Sequence, residues 1–287
     1  MAISHRTLAS ALIMLAAPAV AASAQTVLLQ IRPRAGDTIA IRMEQKAEMT
    51  GVPSGCTTGY SGGRRGTNPD SRPRPCSEVP RQMTSVMEVF SRAIVLRASA
   101  EGSLVLAVTD SVRTSLSNST KAGKPTRMRT NSENRQIRVA TDGGAEVVDA
   151  QASDELRAVI GQMPATLSRK PVAVGEKWMR QMRIPISAEA GATSLVRATF
   201  RLDSLGKNGD VAYISMKGTL SHDHRDGSNS ELDGWMSGSM ELDRRLAWIT
   251  DTRALIDVES TVRPSTGGQP MRVRTRITQI LHAGPVR

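Results

Sequence analysis

Lys170-Pro171-Val172-Ala173-Val174-Gly175-Glu176-Lys177-Trp178 stands near the middle of the chain and decides how the rest is read. Pro171 stops a preceding helix, Gly175 permits a tight turn, and an extended segment begins after it. The same order occurs earlier. Gly36-Asp37-Thr38-Ile39 opens a segment containing Arg42-Met43, as Gly175-Glu176-Lys177-Trp178 opens one containing Met182-Arg183. The hairpin glycines Gly102 and Gly209 follow in turn, and Arg135-Gln136-Ile137 and Arg245-Leu246-Ala247 supply a third pair of anchors. Three anchors in one order predict two β pseudo-repeats, 25–168 and 169–287, forming one continuous domain, with Trp178 in the place of Ile39. The competing reading is that any run of β-hairpins resembles another.

Outward from this stretch the pattern has period two, the mark of half-buried strands. Ile39, Ile41, Met43, Gln45, Ala47 and Met49 share one face of a first strand, with Arg42, Glu44, Lys46 and Glu48 on the other. Met83–Ala98 and Leu104–Val108 flank Ala100-Glu101-Gly102 as a hairpin, and Ile137–Val148 turns at Asp142-Gly143-Gly144. Residues 117–134 are polar and predict a weak or edge strand. In the second half Thr193–Leu205 turns at Gly206–Gly209 into Ala212–Leu220. Leu232, Gly234, Met236, Gly238, Met240 and Leu242 then define a face whose glycines leave room for a close backbone, a helix or a ligand. Leu246–Ile249 and Ala254–Val262 read as a further pair, and Met271–Leu281 closes the chain.

One helix is expected, over 153–166. Ser153-Asp154-Glu155 offers a hydroxyl cap and acids for the positive end of the helix dipole, and Leu156, Val159, Ile160 and Met163 follow at helical spacing. The expected fold class is therefore mainly β, with long antiparallel strands in a curved sheet or open half-barrel and one amphipathic helix against it.

Residues 1–24 have the layout of a cleaved secretory signal: His5 and Arg6, an apolar run from Leu8 to Val20, then Ala22-Ser23-Ala24. The run is interrupted by Pro18 and falls short of the roughly 20 residues that span a bilayer. A periplasmic or secreted location follows, with no transmembrane segment in the mature chain. In that setting Cys56 and Cys76, the only cysteines, are expected to form a disulfide at the base of a Gly-, Pro-, Ser- and Arg-rich loop, 51–81.

Three Trp, two Tyr and two Phe against 14 Met leave the interior to Met and aliphatic side chains. The formal charge is +11, or +10 once Arg6 is removed with the signal, which favours anionic surfaces such as lipid headgroups. Arg272, Arg274 and Arg276 form a cationic stripe on the last strand, but aromatics for base stacking are missing there, so nucleic acid is not an expected partner.

The stretch 170–178, placed after a short helix and before long alternating strands, resembles a motif of uncharacterised exported bacterial β-rich proteins. Their general shape is similar to the lipoprotein-carrier class (LolA-like and LppX-like), in which a curved sheet wraps a helix and leaves an apolar cavity. That resemblance implies lipid or lipoprotein handling and transfers no site residue.

Catalytic signatures are missing from the sequence. There is no Gly-x-Ser-x-Gly elbow and no His-Glu-x-x-His helix, and after the signal only His222, His224 and His282 remain. His222-Asp223-His224 with Asp226 is the most metal-like group, yet it reads as a solvated hairpin loop, and no metal or cofactor is expected. Asp251 and Asp257 read as ordinary strand-end and surface carboxylates. The expectation is a non-enzymatic envelope protein binding a lipid or amphiphile between sheet and helix, with Val159, Met163, Met236 and Met240 as lining residues. The alternative is a structural or protein-interaction module that uses the basic loop around Cys56 and Cys76.

Overall fold

The computed structural model describes residues 26–53, 81–118, 126–128, 134–149, 165–185, 193–222, 232–262 and 271–286. Twelve strands form one curved open sheet: β1 (Thr38–Pro53), β2 (Arg81–Ala98), β3 (Gly102–Asn118), β4 (Thr126–Met128), β5 (Asn134–Ala140), β6 (Ala145–Val147), β7 (Lys177–Pro185), β8 (Thr193–Gly206), β9 (Val211–His222), β10 (Leu232–Asp243), β11 (Trp248–Val262) and β12 (Met271–Pro285). Their order is β6-β5-β3-β2-β1-β12-β11-β10-β9-β8-β7, with β4 beside β3, and every pairing is antiparallel. The chain meanders outward from β1 and inward from β7, so its first and last long strands meet at the centre of the sheet.

Period-two alternation sets the two faces. Along β10 the buried side chains Met236, Met240 and Leu242 point inward, while Asp233, Trp235 and Ser239 point outward. The inner face over β7–β11 carries the main core: Met182, Val196, Ala198, Phe200, Leu202, Ala212, Ile214, Met216, Leu220, Met236, Met240, Leu242 and Val258. Phe200 has no exposed surface, and burying such a side chain contributes about 1.5 to 3 kcal/mol.

Two extended segments lie over this face. Val27, Leu29 and Ile31 alternate inward from the first, and Leu167 and Val172 point inward from the second. Val27 and Val172 exchange backbone hydrogen bonds of 2.8 and 2.9 Å, which joins the segments into a strap. The Ile31 and Arg32 N–H groups donate to Thr141 O and Ala247 O, so the strap also ties the β5–β6 turn to the β10–β11 turn.

The start of β1 and the start of β7 share one geometry. Gly36 and Gly175 have φ of 91° and 87°, which a side chain would strain. Asp37 N–H donates to Arg34 O and Glu176 N–H to Ala173 O, while the Asp37 and Glu176 carboxylates each accept the N–H three residues back, both at 2.8 Å. Gly36 and Gly175 donate to Val95 O and Leu202 O, and a β-bulge follows each acceptor, between Val95 and Arg97 and between Leu202 and Ser204. In register, Ile39 pairs with Ala93, and Trp178 pairs with Phe200, on which it stacks with centroids 5.8 Å apart. The first pair of sequence anchors thus has matching local geometry; Gly102 and Gly209 share only a positive φ, of 155° and 91°. The third pair does not match: Arg135 sits inside β5 opposite Ala107, whereas Arg244 and Arg245 lie in the turn after β10.

Other expectations are corrected. Leu246–Ile249 and Ala254–Val262 are not two strands of a pair, because Trp248–Val262 runs as one strand; Leu242 and Glu241 absorb the irregularity as a register shift in β10–β11. The polar region from 117 contributes the end of β3 and the three-residue β4. No α-helix occurs among the described residues; the expected helix over 153–166 lies outside them except for Ala165 and Thr166, which are not helical.

A polar junction holds the two ends of the sheet together. The buried Asp142, in the β5–β6 turn, accepts from Arg169 Nε at 2.8 Å and from Gly144 N–H, with Arg180 of β7 at 3.8 Å. Arg180 also donates to Leu167 O, and Trp178 Nε1 donates to Thr166 O at 2.8 Å. Burial pushes the Asp142 carboxyl up, but hydrogen bonds from Arg169 and Gly144 and the charges of Arg169 and Arg180 outweigh it, leaving it below the ordinary range. Because folding lowers this value, the associated stability is fully present above the unfolded value near 4 and is lost as pH falls through the folded one. We predict that Asp142→Asn costs about 1 to 3 kcal/mol at neutral pH. The same variant should flatten the acid limb of a urea-denaturation series relative to the parent chain.

Candidate functional site

The inner face is not equally covered along the sheet. The row through Val258, Leu220, Val196 and Met182 is buried, whereas its continuation through Thr275, Met49 and Met83 is only half-buried. The next rows behave alike: Ile277, Ala47, Ser85 and Leu116 lie in register, as do Gln279, Gln45, Met87 and Thr114. Leu116, at 53 % exposure, is a large apolar side chain left in solvent on the face that elsewhere forms the core.

Over β1–β3 an open hollow of about 580 Å³ is lined by Gln45, Ser85, Met87, Thr114 and Leu116 of this face, together with Val86 and Ser115, which pair with each other in register and alternate to the other face. Its size falls within the roughly 300–1,000 Å³ usual for small-molecule sites. The chemistry of the lining is uniform in one respect: hydroxyls, an amide, a thioether and aliphatic groups, with no charged side chain. Met43, Met49, Met83 and Met87 all lie on this part of the inner face, and an unbranched thioether chain can adapt to an irregular apolar guest. Gln279 Nε2 approaches Met43 Sδ at 3.2 Å, a weak contact that a better acceptor can replace.

Of the four expected lining residues, Met236 and Met240 are buried in the core over β9–β11. Their neighbours explain why. A Cβ on Gly238 would meet Arg253 O at 2.1 Å and Met216 Cε at 2.5 Å, and one on Gly218 would meet Met236 Cγ at 2.9 Å. The room left by the glycines is thus taken by adjacent backbone and by methionine side chains from the next strand. Val159 and Met163 lie outside the described residues, as do Cys56, Cys76 and nearly all of the loop 51–81. The residues of the hollow went unremarked as a group because alternation assigns each to a face without showing that these faces stay uncovered.

The outer face is charged and paired. Asp257 is only 3 % exposed, not a surface position: Arg274 donates to it through Nε and Nη2 at 2.9 Å each, and Arg276 through the same two atoms at 3.1 and 2.9 Å. Hydrogen bonds from Arg274, opposed by burial and assisted by Arg276, hold the Asp257 carboxyl below its ordinary range. Arg274 is raised in turn by the same contact. A polar groove of about 300 Å³ beside them is lined by Glu48, Thr50, Gln82 and Thr84 with Met49 and Met83. The arginine stripe on β12 therefore serves largely as the counter-charge of one buried carboxylate. His282 lies in β12 and pairs with Asp251 through Nδ1 at 2.7 Å.

Among the described residues no three His, Cys, Asp or Glu side chains are grouped to hold a metal ion. Asp223, His224 and Asp226 lie outside them, together with the side chain of His222. No described helix is long and apolar enough to cross a membrane. No known protein-family model and no curated protein matches the chain.

The Asp257 cluster yields a direct test. Asp257→Asn removes the negative charge and replaces one accepting oxygen by an NH2 donor facing two guanidiniums, so it should cost about 1 to 3 kcal/mol in urea denaturation. A second substitution, Arg276→Gln, made in the Asp257→Asn background, should recover part of that loss because it relieves the repulsion.

Proposed function

We propose that this protein is an exported, non-enzymatic binder of an amphiphilic, lipid-like molecule, which it holds in the hollow over β1–β3. The observation that carries the reading is the change of burial along one face: the face that forms a sealed core over β8–β10 continues over β1–β3 as an open hollow with Met87 and Leu116 among uncharged polar side chains. An exposed Leu116 near Met87 supplies apolar contact for an alkyl chain, and Gln45, Ser85 and Thr114 supply donors and acceptors for an uncharged polar end. The absence of charge in the lining favours an ester, alcohol or amide over a free carboxylate or phosphate, since a buried ion would go unpaired. The secretory layout of residues 1–24 supports the exported setting, and the resemblance of 170–178 to the lipoprotein-carrier class points toward the same ligand chemistry.

The mature chain, purified without detergent, should carry alkyl-chain molecules in native mass spectrometry. It should also bind a fluorescent monoacylglycerol at one site, and unlabelled monoacylglycerol should displace it. Leu116→Glu and Met87→Glu place a charge in the hollow and should each weaken that binding at least about tenfold. Ligand-free protein that ignores the probe, or binding that both variants leave intact, contradicts the proposal.

A further inference from the structure

The outer face over β7–β10 differs from the rest of the outer surface. Two large apolar side chains stand out of it, Met179 on β7 at 69 % exposure and Trp235 on β10 at 43 %. Between them the register places a cationic field. Met179 pairs with Thr199, which pairs with Lys217; Trp235 pairs with Thr219, which pairs with Arg197; Lys177 lies two residues from Met179 on the same strand and face. At about 4.8 Å per strand, the apolar pair is separated by roughly 14 Å across the sheet, with the cations inside or beside that span.

These cations, like Arg272 of β12 and unlike most others on the outer face, have no carboxylate partner among the described residues. Elsewhere on the outer face Arg42, Lys46, Arg92, Arg113, Arg201, Arg253, Arg274 and Arg276 are each matched to a carboxylate. Among the described residues no carboxylate lies within ion-pair distance of Lys177, Arg197 or Lys217. The carboxylates around the patch offer little opposition. Asp257, the register partner of Trp235, is buried beneath Arg274 and Arg276, and Asp203 is held by Arg201 and Ser215. Asp233, which accepts from Gly234 N–H, and its exposed register partner Glu259 on β11 are the carboxylates left at the margin.

From this juxtaposition we propose that the outer face of β7–β10 docks on an anionic lipid surface. Trp235 and Met179 enter the headgroup boundary, and Lys177, Arg197 and Lys217 meet the lipid phosphates. Indole is suited to that boundary, since its ring is apolar and its N–H still finds an acceptor. Each cation close to an anionic leaflet strengthens partitioning about fivefold, and the apolar side chains fix which face turns inward. Docking by this face leaves the inner hollow open, so it does not depend on the hollow holding a ligand.

The test uses the mature chain and sedimented vesicles, either pure phosphatidylcholine or phosphatidylcholine with 30 % phosphatidylglycerol. Binding is expected to the second kind alone and to fall as salt is raised. Lys217→Glu with Arg197→Glu should weaken it at least about 25-fold. Brominated lipids should quench the parent chain's fluorescence and leave Trp235→Phe unquenched, because Trp178 and Trp248 do not lie on this face; circular dichroism confirms that each variant is folded. Equal binding to both vesicle types, no binding at low salt, or full binding by the folded double reversal overturns the proposal. Failure of the monoacylglycerol experiment would leave this result unchanged, so the two readings fall separately.

Discussion

The packing of Leu29 and Leu167 against the inner face is the constraint on which the rest of the structure depends. A sheet of twelve strands has two edges and one apolar face, and that face must be covered if the chain is to stay folded in water. Here the cover is a strap of two extended segments, not a second sheet. Both leucines are fully buried, and the strap's backbone reaches turns from both halves of the sheet through Thr141 and Ala247. The Asp142 junction then fixes the curl: a carboxylate from one end of the sheet meets Arg180 from the other. Remove the strap and the apolar side chains of β8–β10 would face solvent on one side.

Charge has a quieter role than the composition suggests. The excess of Lys and Arg looks like a uniform basic surface, but much of the outer face is a lattice of ion pairs made across, diagonally between and along the strands. Individually such exposed pairs contribute little. Their arrangement matters more for what it leaves over, because a lattice that consumes most guanidiniums makes the few unpaired cations distinctive. Asp257 shows the opposite extreme, where one carboxylate beneath two guanidiniums keeps Arg274 and Arg276 from acting as free charges.

The sequence was informative where the rule is local. Alternation placed the inner and outer faces of β1, β2, β8, β9, β10 and β12, and Gly36, Gly102, Gly175 and Gly209 marked turns where φ is positive. It also placed Trp178 opposite the role of Ile39, since a glycine turn fixes the register that follows it. Long-range facts were not legible. Nothing in Met43 or Met87 says that their face stays open while that of Met236 and Met240 is sealed, for all four alternate in the same way. The glycines of β10 suggested space, yet whether space is filled depends on a methionine from the adjacent strand. The arginines of β12 suggested a stripe, and only the pairing with β11 shows their shared carboxylate.

The meeting of β1 with β12 has a kinetic side. These strands lie at opposite ends of the chain but pair over their whole length, from Ile39 with Pro285 to Pro53 with Met271. During synthesis β1 therefore waits with one edge paired only to water until β12 has been made. Contacts so distant in sequence are the slow step of folding, and a bare strand edge is a template for pairing with the wrong chain. The sheet becomes continuous only with β12. In this molecule β12 is thus the strand that ends a period of exposure, and a chain that lost it would keep two open edges at the very centre of its fold.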